Sequence, residues 1–351
     1  MISRRRLFAT AAGSFAAALP LARSLAQEAP LRRLPPLDAP LKSPPGKLPV
    51  VDFHTHLQRR VTAEELVAHM DGVGVSRMVL MPLYYGANRP SEMDGEGSDE
   101  QARDYARRYP ERFVPFVGLQ RPELNDANAW RGGGEGPRLI RETEAKLRTG
   151  EFFGMGELMI RFYPYTNRFG IRATRERDFP ADSWYMQRCA ELSAKYRRPM
   201  VVHAEAEPHV AAAMIRLLEA HPQAIVVWAH NCGRSSAENI RAMMTRFPNL
   251  HADLGGMVYS GPNVEHYGIY YPRRTEWMHL VVSDTGDVLT EMKSLFEAFS
   301  QRFFIGTDIA HARVYSIYDR HLPRWRYFFR QLSPAAARNI AYRNAERVFR
   351  G

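Results

Sequence analysis

Short, continuous apolar runs alternate along this chain with segments in which apolar residues recur every three or four positions. The runs are typical of parallel strands buried on both faces, and the periodic segments are typical of amphipathic helices. Eight runs predict strands, at residues 49–53, 77–82, 113–119, 153–160, 200–203, 224–230, 250–254 and 303–308. Eight segments predict helices, at residues 63–72, 99–109, 137–149, 181–196, 208–221, 235–247, 287–301 and 334–349.

The alternation of strands and helices predicts an α/β fold with a parallel sheet, and eight repeats fit a (β/α)8 TIM barrel. A doubly wound open sheet is the alternative. No Gly-x-Gly-x-x-Gly follows the first strand, which weakens the nucleotide-binding form of that fold. Two connections are long for barrel loops, residues 161–180 after strand 4 and residues 255–286 after strand 7. We expect both to border a pocket at the carboxyl ends of the strands.

The first residues carry an export pattern and not a domain. Three arginines at residues 4–6 precede an Ala-rich apolar run, and Ser24-Leu25-Ala26 supplies small residues for cleavage. Residues 1–26 are therefore predicted to be a twin-arginine-type signal peptide, with an uncleaved amphipathic anchor as the alternative. Residues 27–48 predict a Pro-rich linker or strap, and residues 49–351 the barrel domain. We expect a periplasmic or secreted protein with no membrane association after cleavage.

Composition adds a weak indication about partners. The chain has 351 residues, 45% of them hydrophobic, and a net charge of +10. Four arginines lie in residues 1–26, which hold no acids, so the rest of the chain carries about +6. The basic residues are scattered, which favours a small, anionic substrate over nucleic acid, and a homodimer is possible. The two cysteines, Cys189 and Cys232, do not form a disulfide framework, and whether they pair stays open.

Six side chains that can bind a metal ion stand at or just beyond the ends of predicted strands. They are His54, His56, Glu157, His203, His230 and Asp308. A parallel barrel brings its strand ends to one face, so residues far apart in sequence can surround one ion. A lone histidine at a strand end is more often a hydrogen-bonded structural residue than a ligand, and Asp308 alone could cap a turn, but the ordered set favours a divalent metal site. Imidazole and carboxylate ligands suit zinc, and also manganese, iron or nickel.

The same residues resemble those of the amidohydrolase superfamily, in its amidohydrolase-related branch. The resemblance rests on Val-Asp-Phe-His-Thr-His, on the single histidines that end strands 5 and 6, on Ile-Gly-Thr-Asp in strand 8, and on the closing helix from Asn339 to Phe349. It covers about residues 49–350. It implies that His54, His56, His203 and Asp308 bind a divalent ion, commonly zinc, and that Asp308 takes a proton from water. It implies that His230 either binds a second ion or donates a hydrogen bond to the substrate.

Glu157 determines how many ions the site can hold. Two-metal members of the superfamily often carry a modified lysine at the end of strand 4, and this chain has none there. Gly156-Glu157-Leu158 resembles the Gly-Glu-Ile of TatD-type deoxyribonucleases. Glu157 is therefore either a bridge between two ions or a carboxylate that orients a histidine ligand.

Three further residues are predicted to contact the substrate. Arg161 and Tyr163 follow strand 4, so they can lie at the rim of the pocket, where an arginine can clamp a carboxylate. A surface arginine with a packing tyrosine is an equal alternative. His311 stands three residues after Asp308 and can reach the same pocket.

The leading functional hypothesis is a metal-dependent hydrolase that cleaves a small-molecule amide, lactone or ester through an activated water. The first alternative is a metal-dependent decarboxylase of an aromatic or unsaturated acid, which would hold one ion. The second is a TatD-like phosphodiesterase or nuclease, which Glu157 suggests. An exported binding protein with a vestigial site is the non-enzymatic alternative. The substrate lies beyond the sequence, because fold alone does not fix a reaction.

Overall fold

The computed structural model describes residues 47–84, 97–163, 176–258, 278–310, 315 and 318–350, together with the backbone of 165–166 and 172–173. The predicted signal peptide, nearly all of the predicted strap and His311 lie outside these residues. Residues 259–277, which contain the aromatic and basic residues of the loop after strand 7, also lie outside the described residues.

The described strands are short and almost entirely buried. They are Val51–Asp52 (β1), His56–Leu57 (β2), Arg77–Pro82 (β3), Phe113–Pro115 (β4), Val117–Gly118 (β5), Met155–Phe162 (β6), Tyr165–Thr166 (β7), Arg172–Ala173 (β8), Arg177–Asp178 (β9), Met200–Ala204 (β10), Val226–Trp228 (β11), Leu250–Asp253 (β12) and Phe303–Phe304 (β13). All pairings are parallel except β6 with β9 and β7 with β8.

These strands close into the predicted TIM barrel. β3 pairs with β1, β2 and β4, while β5 continues into the order β6, β10, β11, β12 and β13. β4 and β5 together correspond to the third predicted strand. Since β4 pairs with β3 and β5 pairs with β6, this strand joins the two sheets. The barrel closes where the Phe53 amide donates to the Ile305 carbonyl at 2.9 Å and the Asp308 amide donates to the His54 carbonyl at 2.8 Å.

Helices surround the barrel, and their starts explain why they form where they do. They are Ala63–Val73, Asp99–Arg108, Ala127–Trp130, Gly136–Arg148, Trp184–Tyr196, Pro208–Ala220, Ala237–Arg246, Thr290–Ala298, His321–Arg330, Pro334–Arg338 and Asn344–Arg350, with a π turn at Asn339–Arg343. Thr62 caps the first of them in a reciprocal capping box with Glu65. Ser98, Ser183, Ser236 and Ser333 accept from backbone amides at four other starts.

The barrel has an apolar interior at its amino end. Phe53 stacks on Phe304 with ring centroids 4.1 Å apart, and Phe349 stacks on Phe53 at 5.9 Å. Phe116 meets both Phe53 and Phe349 edge-on. Phe349 comes from the last helix, so the end of the chain plugs the barrel floor. A separate, larger apolar layer lies between strands and helices.

Several predicted boundaries were wrong, for identifiable reasons. The sixth predicted strand corresponds to β11, which ends at Trp228, and the eighth corresponds to β13, which ends at Phe304, because the backbone turns before His230 and Asp308. The fourth predicted strand corresponds to β6, which begins later than predicted and runs further, to Phe162, because β9 pairs with its end. The helix His321–Arg330 was not predicted; Pro323 lies in its first turn, where proline is tolerated.

Two smaller expectations can also be compared with the fold. Cys189 and Cys232 are both buried and both free, so they do not pair with each other. In the part of the chain that the structure describes, no helix is long and apolar enough to cross a membrane.

Candidate metal centre

Three donor atoms from opposite ends of the chain meet at the carboxyl end of the barrel. The Nε2 atoms of His54 and His56 lie 3.3 Å apart. Asp308 Oδ1 lies 3.5 Å from each of them. Ligands that share one ion at about 2.1 Å are roughly 3.0–3.4 Å from one another, so this triangle has the size that a metal site requires.

Glu157 joins this triangle to a second group of donors. Its Oε2 lies 3.5 Å from His56 Nε2, and its Oε1 lies 3.5 Å from His54 Nε2. On its other side, Oε1 lies 3.1 Å from His203 Nδ1 and 3.3 Å from His230 Nε2. These two histidine nitrogens are 2.8 Å apart. The carboxylate therefore stands between two sets of converging donors.

Acceptors behind three of the histidines determine which ring nitrogen keeps its lone pair. His54 Nδ1 faces Asp253 Oδ2 at 3.0 Å, and His203 Nε2 faces Glu205 Oε1 at 3.2 Å. His230 Nδ1 faces the Gly255 carbonyl at 2.9 Å. Because these oxygens can only accept, a neutral imidazole at each position keeps its proton on the outer nitrogen and points the lone pair of the inner nitrogen at the centre.

Sequence reasoning missed these supporting residues. Asp253 ends β12, so the strand-end rule that found the six donors could have found it. Glu205 stands two residues after His203, on the same side of the extended chain, which is a usable signal. Gln120 gave none, although its side-chain amide donates to Glu157 Oε2 at 2.6 Å. Gly255 acts through its carbonyl, which no side-chain pattern can reveal.

The backbone carrying two of the donors is in an unusual conformation. His230 has φ 55° and Asp308 has φ 56°, and Asn231 and Cys232 continue the left-handed turn. Left-handed backbone costs an L-residue about 1–2 kcal/mol, and such costs cluster at functional sites. The turn aims the His230 amide at Asp253 Oδ1, 3.3 Å away.

A glycine makes room for the first histidine. A Cβ at Gly306 would lie 2.5 Å from the His54 Cβ and 3.0 Å from its backbone nitrogen, closer than real atoms pack. Close packing of the first and last strands therefore requires a glycine at position 306. Asp52 also connects the first and last strands, although it lies outside the group of donors. Its carboxylate accepts from the Thr307 amide at 2.9 Å and from the Tyr318 hydroxyl at 2.8 Å.

The centre carries an excess of buried negative charge. Glu157, Asp253 and Glu205 are almost fully buried, and Asp308 joins them with 31% of its side chain exposed. Burial alone would raise the pKa of Glu157, but the nearby His54 and His203 hold that pKa well below its ordinary range. Burial likewise opposes protonation of His203, yet Glu157 and Glu205 raise its pKa to about 9.

The lowered pKa of Glu157 and the raised pKa of His203 both indicate that positive charge stabilises this site. Arg234 pairs with Glu205, and the remaining carboxylates are balanced only if histidines are protonated or a cation is present. His54 follows the same rule, because Asp253 and Glu157 overcome its burial and raise its pKa well above the usual value. The donor types, their spacing, the lone-pair directions and the charge all fit one or two divalent ions.

The predicted substrate residues are placed differently from the donors. The Arg161 guanidinium donates to Glu207 and, at 2.7 Å, to Glu176. Tyr163 donates to the same Glu207, and Arg161 lies over its ring at 4.2 Å. Both residues are buried. Arg161 is therefore already neutralised, which argues against the predicted clamp on a substrate carboxylate.

A TIM barrel with histidine and carboxylate donors at the carboxyl ends of its strands defines a class of metal-dependent enzymes. A family model described as "Amidohydrolase" matches residues 51–351. The chain therefore belongs to the amidohydrolase family, which confirms the resemblance of its motifs. It is a metal-dependent enzyme of that family. No curated protein matches it in sequence.

Solved structures share the fold at low identity. An uncharacterised TIM-barrel protein from Bordetella bronchiseptica aligns with a TM-score of 0.53 at 14% identity, over 86% of this chain and 98% of its own. A 2,6-dihydroxybenzoate decarboxylase, in complex with 2,6-dihydroxybenzoate, aligns with a TM-score of 0.50 at 13% identity, over 87% of this chain and 100% of its own. A dihydroorotase from Saccharomyces cerevisiae, in complex with 5-fluoroorotic acid, aligns with a TM-score of 0.50 at 12% identity, over 87% of this chain and 84% of its own. These likenesses support the barrel and leave the reaction open.

Proposed function

We propose that this protein is a metal-dependent hydrolase that cleaves an amide, lactone or ester of a small molecule. The observation that carries the proposal is the position of Glu157, whose carboxylate lies within 3.5 Å of donors in both groups. A carboxylate shared in this way suits a two-ion centre, and paired ions suit hydrolysis.

The residues divide naturally between two ions, with zinc as the expected metal. His54, His56 and Asp308 would hold one, His203 and His230 the other, and Glu157 both. When bound, such ions polarise a carbonyl and lower the pKa of water to about 7. His230 was left open between ligand and hydrogen-bond donor. Its contact with the Gly255 carbonyl favours the ligand role, because a neutral ring that donates from Nδ1 has its lone pair on Nε2.

Asp308 is the residue best placed to move a proton. It is partly exposed while its histidine neighbours are buried, so it can meet both water and substrate. Its amide is tied to the His54 carbonyl, which fixes the side chain beside the centre. In the proposed reaction a water oxygen bonds to the carbonyl carbon and the C–N or C–O bond breaks. Asp308 takes the proton from the water and passes it to the leaving nitrogen or oxygen.

A decarboxylase remains the second candidate because one observation favours it. Gln120 donates to Glu157 Oε2, which reduces the capacity of that oxygen to bind metal. A site with one ion would result, and a decarboxylase is among the proteins that share the fold. The position of Glu157 also suits the phosphodiesterase alternative, but no other described residue distinguishes that reaction from hydrolysis of an amide, lactone or ester, and we do not propose it.

Export also remains a proposal. The paired arginines, Ala-rich run and small residues before position 27 support twin-arginine export to the periplasm or beyond. This route carries folded proteins, so the metal could be acquired before export. Mass spectrometry of the mature amino terminus would test it, and a chain that begins at Met1 in the periplasmic fraction would contradict cleavage.

Isotope labelling separates the two reactions. The protein, loaded with zinc or manganese, is offered small amides, lactones, esters and aromatic acids in labelled water. Hydrolysis places one solvent 18O in the product acid, whereas decarboxylation releases CO2 and places solvent deuterium on carbon. Asp308→Asn is the matched control, since it keeps the shape but cannot accept the proton. CO2 release without 18O uptake would overturn the hydrolase proposal.

A further inference from the structure

A left-handed turn follows β11 and carries one of the donors. All five of its residues, 230–234, have φ between 53° and 66°. Gly233 adopts this backbone readily, but residues with a side chain rarely do. The other four residues are therefore held in an unfavourable conformation by their contacts, which is typical of a segment that positions functional groups.

The two ends of this turn reach the two ring nitrogens of His203, one directly and one through Glu205. At the start of the turn, His230 Nε2 lies 2.8 Å from His203 Nδ1, the nitrogen that faces the centre. At its end, the Arg234 guanidinium donates from Nη1 to Glu205 Oε1. The same oxygen lies 3.2 Å from His203 Nε2, the outer nitrogen. His203 is therefore enclosed between a donor at one end of the turn and a carboxylate held by the other.

Glu205 depends on Arg234 for its charge balance and its orientation. The Glu205 side chain is 0% exposed, and the Arg234 side chain is 3% exposed. Glu205 Oε1 is shared between the guanidinium and the His203 ring, while Oε2 has no hydrogen-bond partner among the described residues. A buried carboxylate is strongly unfavourable once its cation is removed. Without Arg234, nothing comparable would hold Oε1 against His203.

Backbone contacts fix the distance between the turn and Glu205. The Ala206 amide donates to the Gly233 carbonyl at 3.1 Å. A Cβ at Gly233 would lie 2.8 Å from the Ala206 nitrogen and closer still to the Ala204 carbonyl oxygen, so a side chain cannot fit there. The turn therefore packs directly on the stretch of chain that carries Glu205, and Arg234 reaches the carboxylate from this fixed position.

We propose that Arg234 is a positioning residue for the metal centre, which holds Glu205 against His203 so that His203 presents Nδ1 to an ion. Because His230 lies on the same turn, this one segment sets the positions of both histidines of the second group of donors. The proposal rests on the proposed function in assigning these two histidines to one ion. Arg234 should then affect that ion and not the one held by the first group.

Stepwise zinc binding to the metal-free full chain tests the proposal. Wild type, Arg234→Met, Glu205→Gln and the double variant are titrated with Zn²⁺ in competition with a fluorescent chelator. Each single variant should weaken one of the two binding steps about 10–100-fold and leave the other unchanged. Because Arg234 acts through Glu205, the double variant should lose no more than Glu205→Gln alone. Arg216→Met, which breaks an exposed pair with Asp182, is the matched control and should bind zinc as the wild type does.

The double variant separates a positioning role from a merely structural one. Losses that add in the double variant would overturn the proposal, because Arg234 and Glu205 would then act independently. Wild-type zinc affinity in Arg234→Met would overturn it too. If Arg234→Met does not fold, Arg234→Lys replaces it, because lysine keeps the charge and changes the geometry of the donor. Arg234→Lys should weaken the same step, and an unchanged affinity would contradict the positioning role.

Failure of the two-ion centre would look different from failure of this proposal. A wild type with a single binding step would contradict the two-ion centre. The variants would still decide the role of Arg234, since weaker binding at that single step supports it and unchanged binding overturns it.

Discussion

The two ends of the barrel interior are built from the same strands and serve different purposes. In β10, Val201 faces the apolar floor and His203 the metal centre; in β12, His251 faces the floor and Asp253 the centre. An advance of two residues, about 6.6 Å along a strand, therefore separates packing from chemistry. The side of each strand that faces the barrel interior therefore supplies both the apolar packing of the floor and the donors of the centre.

The backbone differs between the two ends as the side chains do. At the floor, Phe304 from a strand and Phe349 from the last helix both stack on Phe53, which directly follows β1. At the centre, His230 and Asp308 adopt left-handed backbone after their strands have ended. The apolar floor can hold the barrel closed while the carboxyl end carries strained and charged groups. If this division is real, substitutions at the two ends should affect different measurements.

The largest effect is expected at Asp308. Asp308→Asn should lower kcat/KM by about 10²–10⁴-fold, because the amide cannot take the proton from water. The barrel should stay folded, since the floor is untouched, and circular dichroism with thermal unfolding would check this. Loss of activity accompanied by loss of the fold would mean that the two ends are not independent.

The floor should respond in the opposite way. Phe349→Ala removes a ring that is 1% exposed and that stacks on Phe53, so the free energy of unfolding should fall by about 3–5 kcal/mol. The variant protein that remains folded should bind as much metal as the wild type. Denaturant unfolding and elemental analysis would measure the two quantities, and reduced metal content in the folded fraction would argue against the division.

A smaller effect is expected behind the histidines. Asp253→Asn weakens the acceptor that orients His54, so metal affinity should fall about 10–100-fold with little change in fold. Asp104→Asn, which alters an exposed carboxylate, is the matched control. Competition with a fluorescent chelator would report affinity. Equal affinities for the two variants would show that Asp253 does not support the metal centre.

The smallest effect concerns pH and the floor. Burial, with Arg302 and Arg347, lowers the pKa of His251 to about 3, whereas an unfolded histidine has a pKa near 6.5. Below pH 6.5 the unfolded chain gains a proton that the native one refuses, so stability should fall as pH drops towards 3. The slope is at most about 1.4 kcal/mol per pH unit, because His251 can account for a difference of at most one bound proton between the unfolded and native chains.

His251→Gln should remove this part of the slope, and the exposed His209→Gln should not. Denaturant unfolding of the metal-free proteins between pH 7 and pH 5 would compare them. Parallel slopes for His251→Gln and the wild type would contradict the shifted pKa of His251.

The fold was predictable because it depends on repeated, local signals. Eight apolar strands and their helices follow from periodicity, and all eight predicted helices start within three residues of an observed helix start. The ends of strands 6 and 8 were not predictable, because nothing in Ala-His-Asn-Cys or Gly-Thr-Asp specifies left-handed backbone at His230 and Asp308. That conformation depends on contacts with Asp253 and His54, which come from distant parts of the chain.

The convergence of the six candidate donors was predictable for a related reason, since each stands at or just beyond the end of a predicted apolar run. The residues behind them were not, because a hydrogen bond from Gln120 or to the Gly255 carbonyl depends on how neighbouring strands are staggered. The ion pairs of Arg161 could not be predicted for a similar reason. Its partners, Glu176 and Glu207, come from two other segments, and their charges could not be assigned to it in advance.

The most direct test of the central claim is the number of ions that Glu157 helps to hold. Elemental analysis of the purified wild type should find about two divalent ions per chain, and Glu157→Gln, which keeps the shape without the charge, should hold no more than one. One ion in both proteins would contradict the two-ion centre and move the assignment to a decarboxylase.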